Sequence, residues 1–253
     1  GTGKTSTAKI LSRAVNCLKP VEGNPCNECE ICRGILDESI MDIIEMDAAS
    51  NNSVDDIREL RDKVVYPPSR TKYKIYIIDE VHMLSKGAFN ALLKTLEEPP
   101  RHLIFILATT EKERLPQTIL SRCQRFDFKR ITTKDIVSNM KNICHELNIS
   151  VEEKALKLIA RNSDGAMRDA LSLLDQCISY KGENLSYQDA IDILGIANTD
   201  LLFSIVDDVK EKKLQSLLFE IDHIIQEGKD VNQFIKDLIY HFRNLLIVKS
   251  SKN

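Results

Sequence analysis

Three groups of residues in this chain have the types and spacing to do chemistry. The first is Gly1-Thr2-Gly3-Lys4-Thr5-Ser6, the closing part of the phosphate-binding pattern G-x-x-x-x-G-K-[ST]. Gly3 lets the backbone turn tightly, so that successive N–H groups from Gly1 to Ser6 can point at phosphate oxygens. Lys4 would neutralise charge on the β- and γ-phosphates, and the Thr5 hydroxyl would ligate magnesium. The second group is Asp79-Glu80, directly after the apolar run Ile75 to Ile78. Unpaired carboxylates are costly to bury. Beside a phosphate site they have two uses: Asp79 for a magnesium ion, Glu80 for a water to be activated.

The third group is Cys17, Cys26, Cys29 and Cys32, spaced C-x8-C-x2-C-x2-C. Two overlapping C-x2-C steps bring three thiolates onto one knuckle, and Cys17 can close a tetrahedron. Gly23, Asn24, Pro25 and Asn27 supply turn chemistry between them. Four sulfurs with no open position suit a structural zinc, not a catalytic one. An iron–sulfur cluster or a redox pair would use the same residue type; the spacing and the lack of other cofactor signals favour zinc. Cys123, Cys144 and Cys177 are scattered and read as ordinary buried thiols.

Positioning these groups requires alternating strands and helices. A helix from Thr5 to about Val15 carries Ala8, Leu11 and Val15 at helical spacing and presents its N-terminus to the anion. Ile43 to Met46 reads as a strand ending at Asp47, and Asp55 to Val64 as an amphipathic helix stopped by Pro67-Pro68. Ile75 to Ile78 is a buried parallel strand. Ser85 caps a helix carrying Phe89, Leu92, Leu93 and Leu96, ended by Pro99-Pro100. Leu103 to Ala108 is another strand. It ends in Thr109-Thr110, where a hydroxyl could hold the attacking water or sense the γ-phosphate. The fold class is therefore α/β with a mostly parallel sheet.

From Thr132 onward strand signals vanish. Thr133 is expected to cap a helix through about Leu147, followed by helices over Val151 to Asn162, Ala166 to Tyr180 and Ser186 to Leu194, with Gly195 as a stop. Leu201, Leu202, Ile205, Leu217, Leu218, Ile221, Ile224 and Ile225, and a long segment through Ile247, continue the helical pattern.

Composition sets limits on partners. With 253 residues, 43% hydrophobic and 29% charged, the chain can bury a good core, and two or three domains are expected. A net charge of −3, from 35 basic and 38 acidic residues, excludes bulk polyelectrolyte attraction to nucleic acid, so any such contact is local. No apolar run approaches a membrane span and no secretory leader is visible. Clustering of four of the seven cysteines fits metal binding in a reducing, cytoplasmic setting.

GTGKTS, the four cysteines, DEVHMLS, NALLKTLEEPP, LATTE, ILSRC and GAMRDALSLLDQ occur in this order. The chain in this respect resembles the ATPase subunits of bacterial DNA polymerase III clamp loaders, the gamma/tau family of AAA+ ATPases. The likeness is close over residues 1 to about 195 and weak beyond. It implies an AAA+ core over 1–131 with an inserted zinc module at about 17–32, a helical lid over 132–197, and the start of an oligomerising collar over 198–253.

The resemblance also implies roles. Lys4 and Thr5 belong to the Walker A loop, Asp79 and Glu80 to Walker B, and Thr110 looks like sensor 1. Arg122, in Ser121-Arg122-Cys123, looks like an arginine finger acting in trans on a neighbour's ATP, and Arg168 is similar to sensor 2. Lys94 and Arg114 match positions that face DNA in this family. ATP, Mg2+ and a structural Zn2+ are the implied cofactors. The implied partners are delta- and delta-prime-like subunits, further copies of the chain, a sliding clamp and primer-template DNA. The implied activity is ATP hydrolysis within the DNA polymerase III holoenzyme.

Three alternatives compete. A delta-prime-like stator shares the zinc module and Ser-Arg-Cys, but has no need of an intact GKT and a DE pair. A zinc-stabilised nucleic-acid module is disfavoured by the near-neutral charge. A DExH-type helicase is suggested by Asp79-Glu80-Val81-His82, but no helicase-like later motifs follow, and His82 reads as structural. Finally, the chain begins inside the loop motif. The strand feeding the loop is expected upstream, between Leu103–Ala108 and a last strand at Phe126–Phe128. The 253 residues alone are expected to bind ATP poorly and unfold easily, with upstream residues restoring both.

Overall fold

The structure, a computed structural model, describes residues 1–195, 199–226 and 231–251, without the side chains of 199, 200, 224 and 233. Ile224 and the expected lid–collar boundary at 197/198 fall outside the described parts. The described residues form two bodies, Gly3–Lys129 and a second that begins at Arg130 and takes in Gly1 and Thr2.

The first body runs α1 (Lys4–Asn16), α2 (Glu30–Leu36), β1 (Ile43–Asp47), α3 (Val54–Val64), β2 (Lys74–Asp79), α4 (Lys86–Glu97), β3 (Leu103–Leu107) and α5 (Gln117–Leu120). The strands form one parallel sheet in the order β1-β2-β3, with Ile43 opposite Ile75 and Tyr76 opposite Phe105. β2 is central and covered on both faces. Tyr76 and Ile78 pack with Ile57, Leu60, Phe89 and Leu92 of α3 and α4, whereas Ile75 and Ile77 pack with Ala8 of α1. This two-sided burial explains why the strand is a continuous apolar run with no alternation. The helices start where their caps dictate. Ser53 and Asp56 form a capping box for α3, and the Ser85 hydroxyl accepts from Ala88 N at the start of α4.

Two expectations fail in this body. Leu11 is not on the buried face of α1, where it is 44% exposed; Ser12 and Asn16 turn inward instead. Their polar atoms are satisfied there. Ser12 Oγ donates to Ala8 O at 2.8 Å, and the Asn16 amide both accepts from Tyr73 N (2.8 Å) and donates to Tyr73 O (3.1 Å). Nor is Phe126–Phe128 a strand, and both rings are exposed. Among the described residues β3 pairs only with β2, so this segment has no ladder to join.

The second body runs α6 (Thr133–Glu146), β4 (Ser150–Val151), α7 (Glu153–Asn162), α8 (Met167–Lys181), β5 (Asn184–Leu185), α9 (Tyr187–Leu194), α10 (Thr199–Glu211), α11 (Leu214–Gln226) and α12 (Val231–Ser250). α6 to α9 share a core built on Ile136, Met140, Leu156, Ile159 and Leu174, while Leu202, Ile205 and Phe234 form a separate cluster. Strand signals do not vanish here as expected. β4 and β5 pair in parallel, and the second helix accordingly starts at Glu153, not Val151. The cap of α6 is Thr132, whose hydroxyl accepts from Asp135 N, and Thr133 is the first helical residue. Among the described residues, no helix is long and apolar enough to cross a membrane.

Candidate active site and metal centre

Gly3 adopts a left-handed conformation (φ 88°) immediately before α1, a turn that a residue with a Cβ makes only under strain. Lys4, Thr5 and Ser6 are thereby placed in the first turn of the helix, where free N–H groups and the helix dipole favour an anion. The parallel sheet brings the carboxyl ends of β2 and β3 to the same side. There the residues expected from the sequence meet in one chain of hydrogen bonds. The Thr5 hydroxyl donates to Asp79 Oδ2 at 2.6 Å, and Asp79 Oδ1 accepts from Glu80 N at 2.9 Å. Glu80 Oε2 accepts from Thr110 N at 3.2 Å and from the Thr110 hydroxyl at 2.9 Å.

Glu80 has φ 45° and ψ 43°, a left-handed conformation that costs a residue with a side chain about 1–3 kcal/mol. Such strain persists where the surroundings impose it. Here Val81 N donates to Ala108 O at 3.0 Å and Ala48 N donates to Asp79 O at 2.9 Å, clamping the turn from both neighbouring strands. The hydroxyl of Thr5 and the carboxylate of Asp79 are hard oxygen donors at bonding distance from each other. They fit a magnesium ion that keeps most of its waters.

Arg122 does not join this chain. Its guanidinium donates to Glu97 Oε1 at 2.9 Å and to Thr118 O at 2.8 Å, next to Ser121. Lys94 is exposed on α4, and Arg114 is exposed with its Nε 2.8 Å from Glu111 Oε2. Arg168 lies in the first turn of α8 in the second body. Gly1 packs against it so closely that a Cβ on Gly1 would come within 2.5 Å of Arg168 Cβ, and Met167 N donates to Gly1 O at 3.0 Å. The need for glycine at position 1 thus has a cause that the loop motif alone does not reveal. Sequence reasoning also missed Glu97 as the partner of Arg122, and it read His82 as structural without its contact to Glu80. The DExH spacing was the available signal for His82.

The four cysteines converge as expected, with all sulfurs within 4.8 Å of one another. Cys26 Sγ and Cys32 Sγ are 4.0 Å apart. A tetrahedron with Zn–S bonds of about 2.3 Å has edges of about 3.8 Å, close to the Cys26–Cys32 separation, so four thiolates gathered in this way suit zinc. Backbone N–H groups of Cys26, Cys29 and Cys32 point at the sulfurs of Cys17, Cys26 and Cys29 at 3.3, 3.3 and 3.4 Å. Burial opposes the Cys29 thiolate, but the N–H groups of Cys32 and Leu18 outweigh it and bring that thiol down to about 6. The Cys26 N–H lowers Cys17. Burial pushes Cys32 up to about 12. Cys144 and Cys177 are buried and Cys123 half-buried, in keeping with packing roles.

A family profile described as "DNA polymerase III, delta subunit" matches residues 1–132, and one described as "DNA polymerase III clamp loader subunit, ATPase lid domain" matches 135–183. The chain is 54% identical over 251 residues to DNA polymerase III subunit tau of Bacillus subtilis (strain 168), covering 99% of this chain and 45% of that protein. It is 40% identical over 249 residues to DNA polymerase III subunit gamma of Buchnera aphidicola subsp. Baizongia pistaciae (strain Bp), covering 98% of this chain and 67% of the relative. This chain therefore spans less than half the length of the tau relative. Among solved structures, the Thermotoga maritima RuvB Holliday junction branch migration motor aligns with a TM-score of 0.53 at 16% identity, over 94% of this chain and 76% of that one. At that identity the likeness speaks to the AAA+ fold alone.

Proposed function

We propose, from the premise that the chain belongs to the gamma/tau family of DNA polymerase III clamp-loader subunits, that it is part of an ATP-hydrolysing motor that opens a ring-shaped sliding clamp and places it on primed DNA. The observation that carries the reading is the hydrogen-bonded chain Thr5–Asp79–Glu80–Thr110 at the carboxyl ends of two parallel strands. Gly1, Gly3, Lys4, Thr5 and Ser6 hold the phosphates of ATP, with Lys4 opposing β/γ charge. Thr5 and Asp79 would hold Mg2+, which would supply charge stabilisation to the phosphates. Glu80 orients the attacking water and takes its proton as the oxygen bonds to γ-phosphorus and the bond to the ADP oxygen breaks. Thr110 reports on the γ-phosphate.

Arg122 serves the ATP of a neighbouring subunit, and Arg168 takes the sensor 2 role. The trans action of Arg122 makes turnover depend on assembly. Cys17, Cys26, Cys29 and Cys32 would hold one structural zinc, which fixes the fold of the insert and takes no part in hydrolysis. We assign 1–131 to the ATPase core, 132–197 to the lid and 198–253 to the start of the collar. Partners are other clamp-loader subunits, including further copies of this one, the clamp and primer-template DNA, in the cytoplasm. Lys94 and Arg114, both exposed, are the DNA-contact candidates.

A non-hydrolysing subunit of the same assembly is the second reading, favoured by the delta-subunit profile over residues 1–132. The paired Thr5 and Asp79 argue against it, since a subunit that does not hydrolyse ATP needs neither. The deciding measurement is ATP hydrolysis by the full-length protein assembled with its partners. Turnover stimulated by clamp and primed DNA is expected. Basal turnover absent from this subunit would favour the second reading, and clamp-independent unwinding of a duplex would overturn both in favour of a helicase.

A further inference from the structure

The proposed base Glu80 has a third neighbour whose role is unassigned. His82 lies in the 3-10 turn Val81–Met83 just after Glu80, and its side chain is only 6% exposed. A histidine buried for packing alone would turn its ring edge to apolar neighbours. This one has both nitrogens on polar groups. Nδ1 stands 2.9 Å from Thr109 Oγ1 and 3.2 Å from Glu80 Oε2, while Nε2 faces Glu111 Oε1 at 3.3 Å. The Thr109 hydroxyl also accepts from Glu111 N at 3.0 Å, and Glu111 is paired on its far side with Arg114 at 2.8 Å. The ring therefore bridges the turn bearing Glu80 and the segment Thr109–Glu111 that carries Thr110.

We propose that His82 is a positioning residue for ATP hydrolysis, its Nδ1–H shared between Glu80 Oε2 and Thr109 Oγ1 so that the carboxylate is aimed by the same segment that senses the γ-phosphate. The proposal rests on the reading of Glu80 as the base. Its logic lies in which atoms are shared. Thr110 N, the Thr110 hydroxyl and His82 Nδ1 all converge on Oε2, which leaves Oε1 to take the proton of the water. When the Thr110 hydroxyl turns to a γ-phosphate, as its role requires, Glu80 loses one of these donors. His82 remains, anchored through Thr109, and keeps the carboxylate from swinging out with it. The strained backbone of Glu80 places its side chain where both donors reach it.

The test uses the full-length protein in its assembled complex and three variants, with kcat, KM for ATP and melting temperature measured for each. His82→Asn keeps an N–H near the place of Nδ1, His82→Gln moves it toward the place of Nε2, and His82→Leu removes it. The expected result is kcat within about threefold of wild type for Asn and about 10- to 100-fold lower for Gln and Leu, with KM little changed. Equal losses in Asn and Gln, a wild-type kcat in Gln, or an effect confined to KM would each overturn the proposal. If Leu fails to fold, the Asn–Gln pair decides alone. Glu80→Gln in the same assay separates the two levels. Wild-type turnover there removes the base itself, whereas a dead Glu80→Gln beside a fully active His82→Gln removes only the role of His82.

Discussion

The four-cysteine knuckle and the candidate phosphate site are the two clusters of chemically capable residues in the first body, and they are built in opposite ways. The knuckle is closed: its four sulfurs come from the single segment Cys17 to Cys32 and face one another. The phosphate site is open. Its parts come from the start of α1, the end of β2 and the segment after β3, and Arg122, the arginine expected to act on a neighbour's ATP, is paired with Glu97. A closed site can be complete within one chain and needs no partner. A site assembled from distant strand ends, with its last cation to come from another subunit, can be made conditional on a neighbour. α1 joins the two, with Lys4 in its first turn and Cys17 as its last cap.

The largest test of that contrast is Arg122→Ala. An arginine finger contributes about 10³–10⁵-fold in rate, so hydrolysis in the assembled complex should fall by about that factor while ATP binding by the separate subunit is spared. Mixing this variant with Lys4→Ala subunits is the sharper form. Activity recovered at mixed interfaces supports action across the interface. An equal loss in dilute monomer would mean the phosphate site is closed within its own chain, like the knuckle.

Next in size is Glu80→Gln, expected to leave nucleotide binding intact and to lower turnover by about 10²–10⁴-fold, as removal of a general base does. Asp79→Asn should instead weaken Mg2+-dependent binding, because Asp79 accepts from the Thr5 hydroxyl, its proposed partner in holding the ion. Titration of nucleotide against each variant, beside single-turnover hydrolysis, distinguishes the two carboxylates. If Glu80→Gln turns over normally, the strained glutamate is only a strand end.

The same contrast explains what could be read from the sequence. The knuckle was fully legible because its spacing is its geometry. The phosphate site was legible as separate motifs, and parallel pairing of β2 with β3 then brought Asp79, Glu80 and Thr110 together. Contacts with no motif were not legible. Nothing in the sequence ties Glu97 to Arg122 across 25 residues, or His82 to Thr109 across 27. Strands were legible where burial on both faces forces an apolar run, as in Ile75–Ile78. They were missed at β4 and β5, two residues each and including the polar Ser150 and Asn184. Phe126–Phe128 has strand-forming residues but no partner edge, and composition cannot supply one. Leu11 was misplaced because the buried face of α1 is set by Ala8, Ser12 and Asn16, with Asn16 tied to Tyr73 by two hydrogen bonds that hydropathy does not reveal.

Removing metal from the knuckle should have a smaller effect on chemistry. Metal analysis of the native full-length protein is expected to give about one zinc per chain, with Zn–S distances near 2.3 Å. After chelation, amide exchange should rise in residues 17–36, while turnover of the assembled complex stays within about tenfold, since local opening need not spread to the central sheet. Iron, or no metal after native purification, would remove the zinc assignment. A collapse of ATP binding on chelation would show that α1 transmits disorder from its C-terminal cap to its first turn.

The smallest expected effect tests α1 itself. Asn16 is buried at the last turn of the helix, one residue before Cys17, and its amide bonds both the N–H and the C=O of Tyr73, the residue just before β2. Asn16→Ala leaves Tyr73 N without this partner, whereas Tyr73 O keeps the Thr71 hydroxyl at 2.8 Å, and an N–H so stranded costs about 1–3 kcal/mol. The melting temperature of the full-length protein should therefore drop, yet zinc content should stay near one per chain and kcat/KM for ATP within about threefold. The helix would still be held along its length by Ala8 against Ile75 and Ile77. If zinc and ATP affinity are instead lost together, the closed and the open site are not independent, and Asn16 is the joint that couples them.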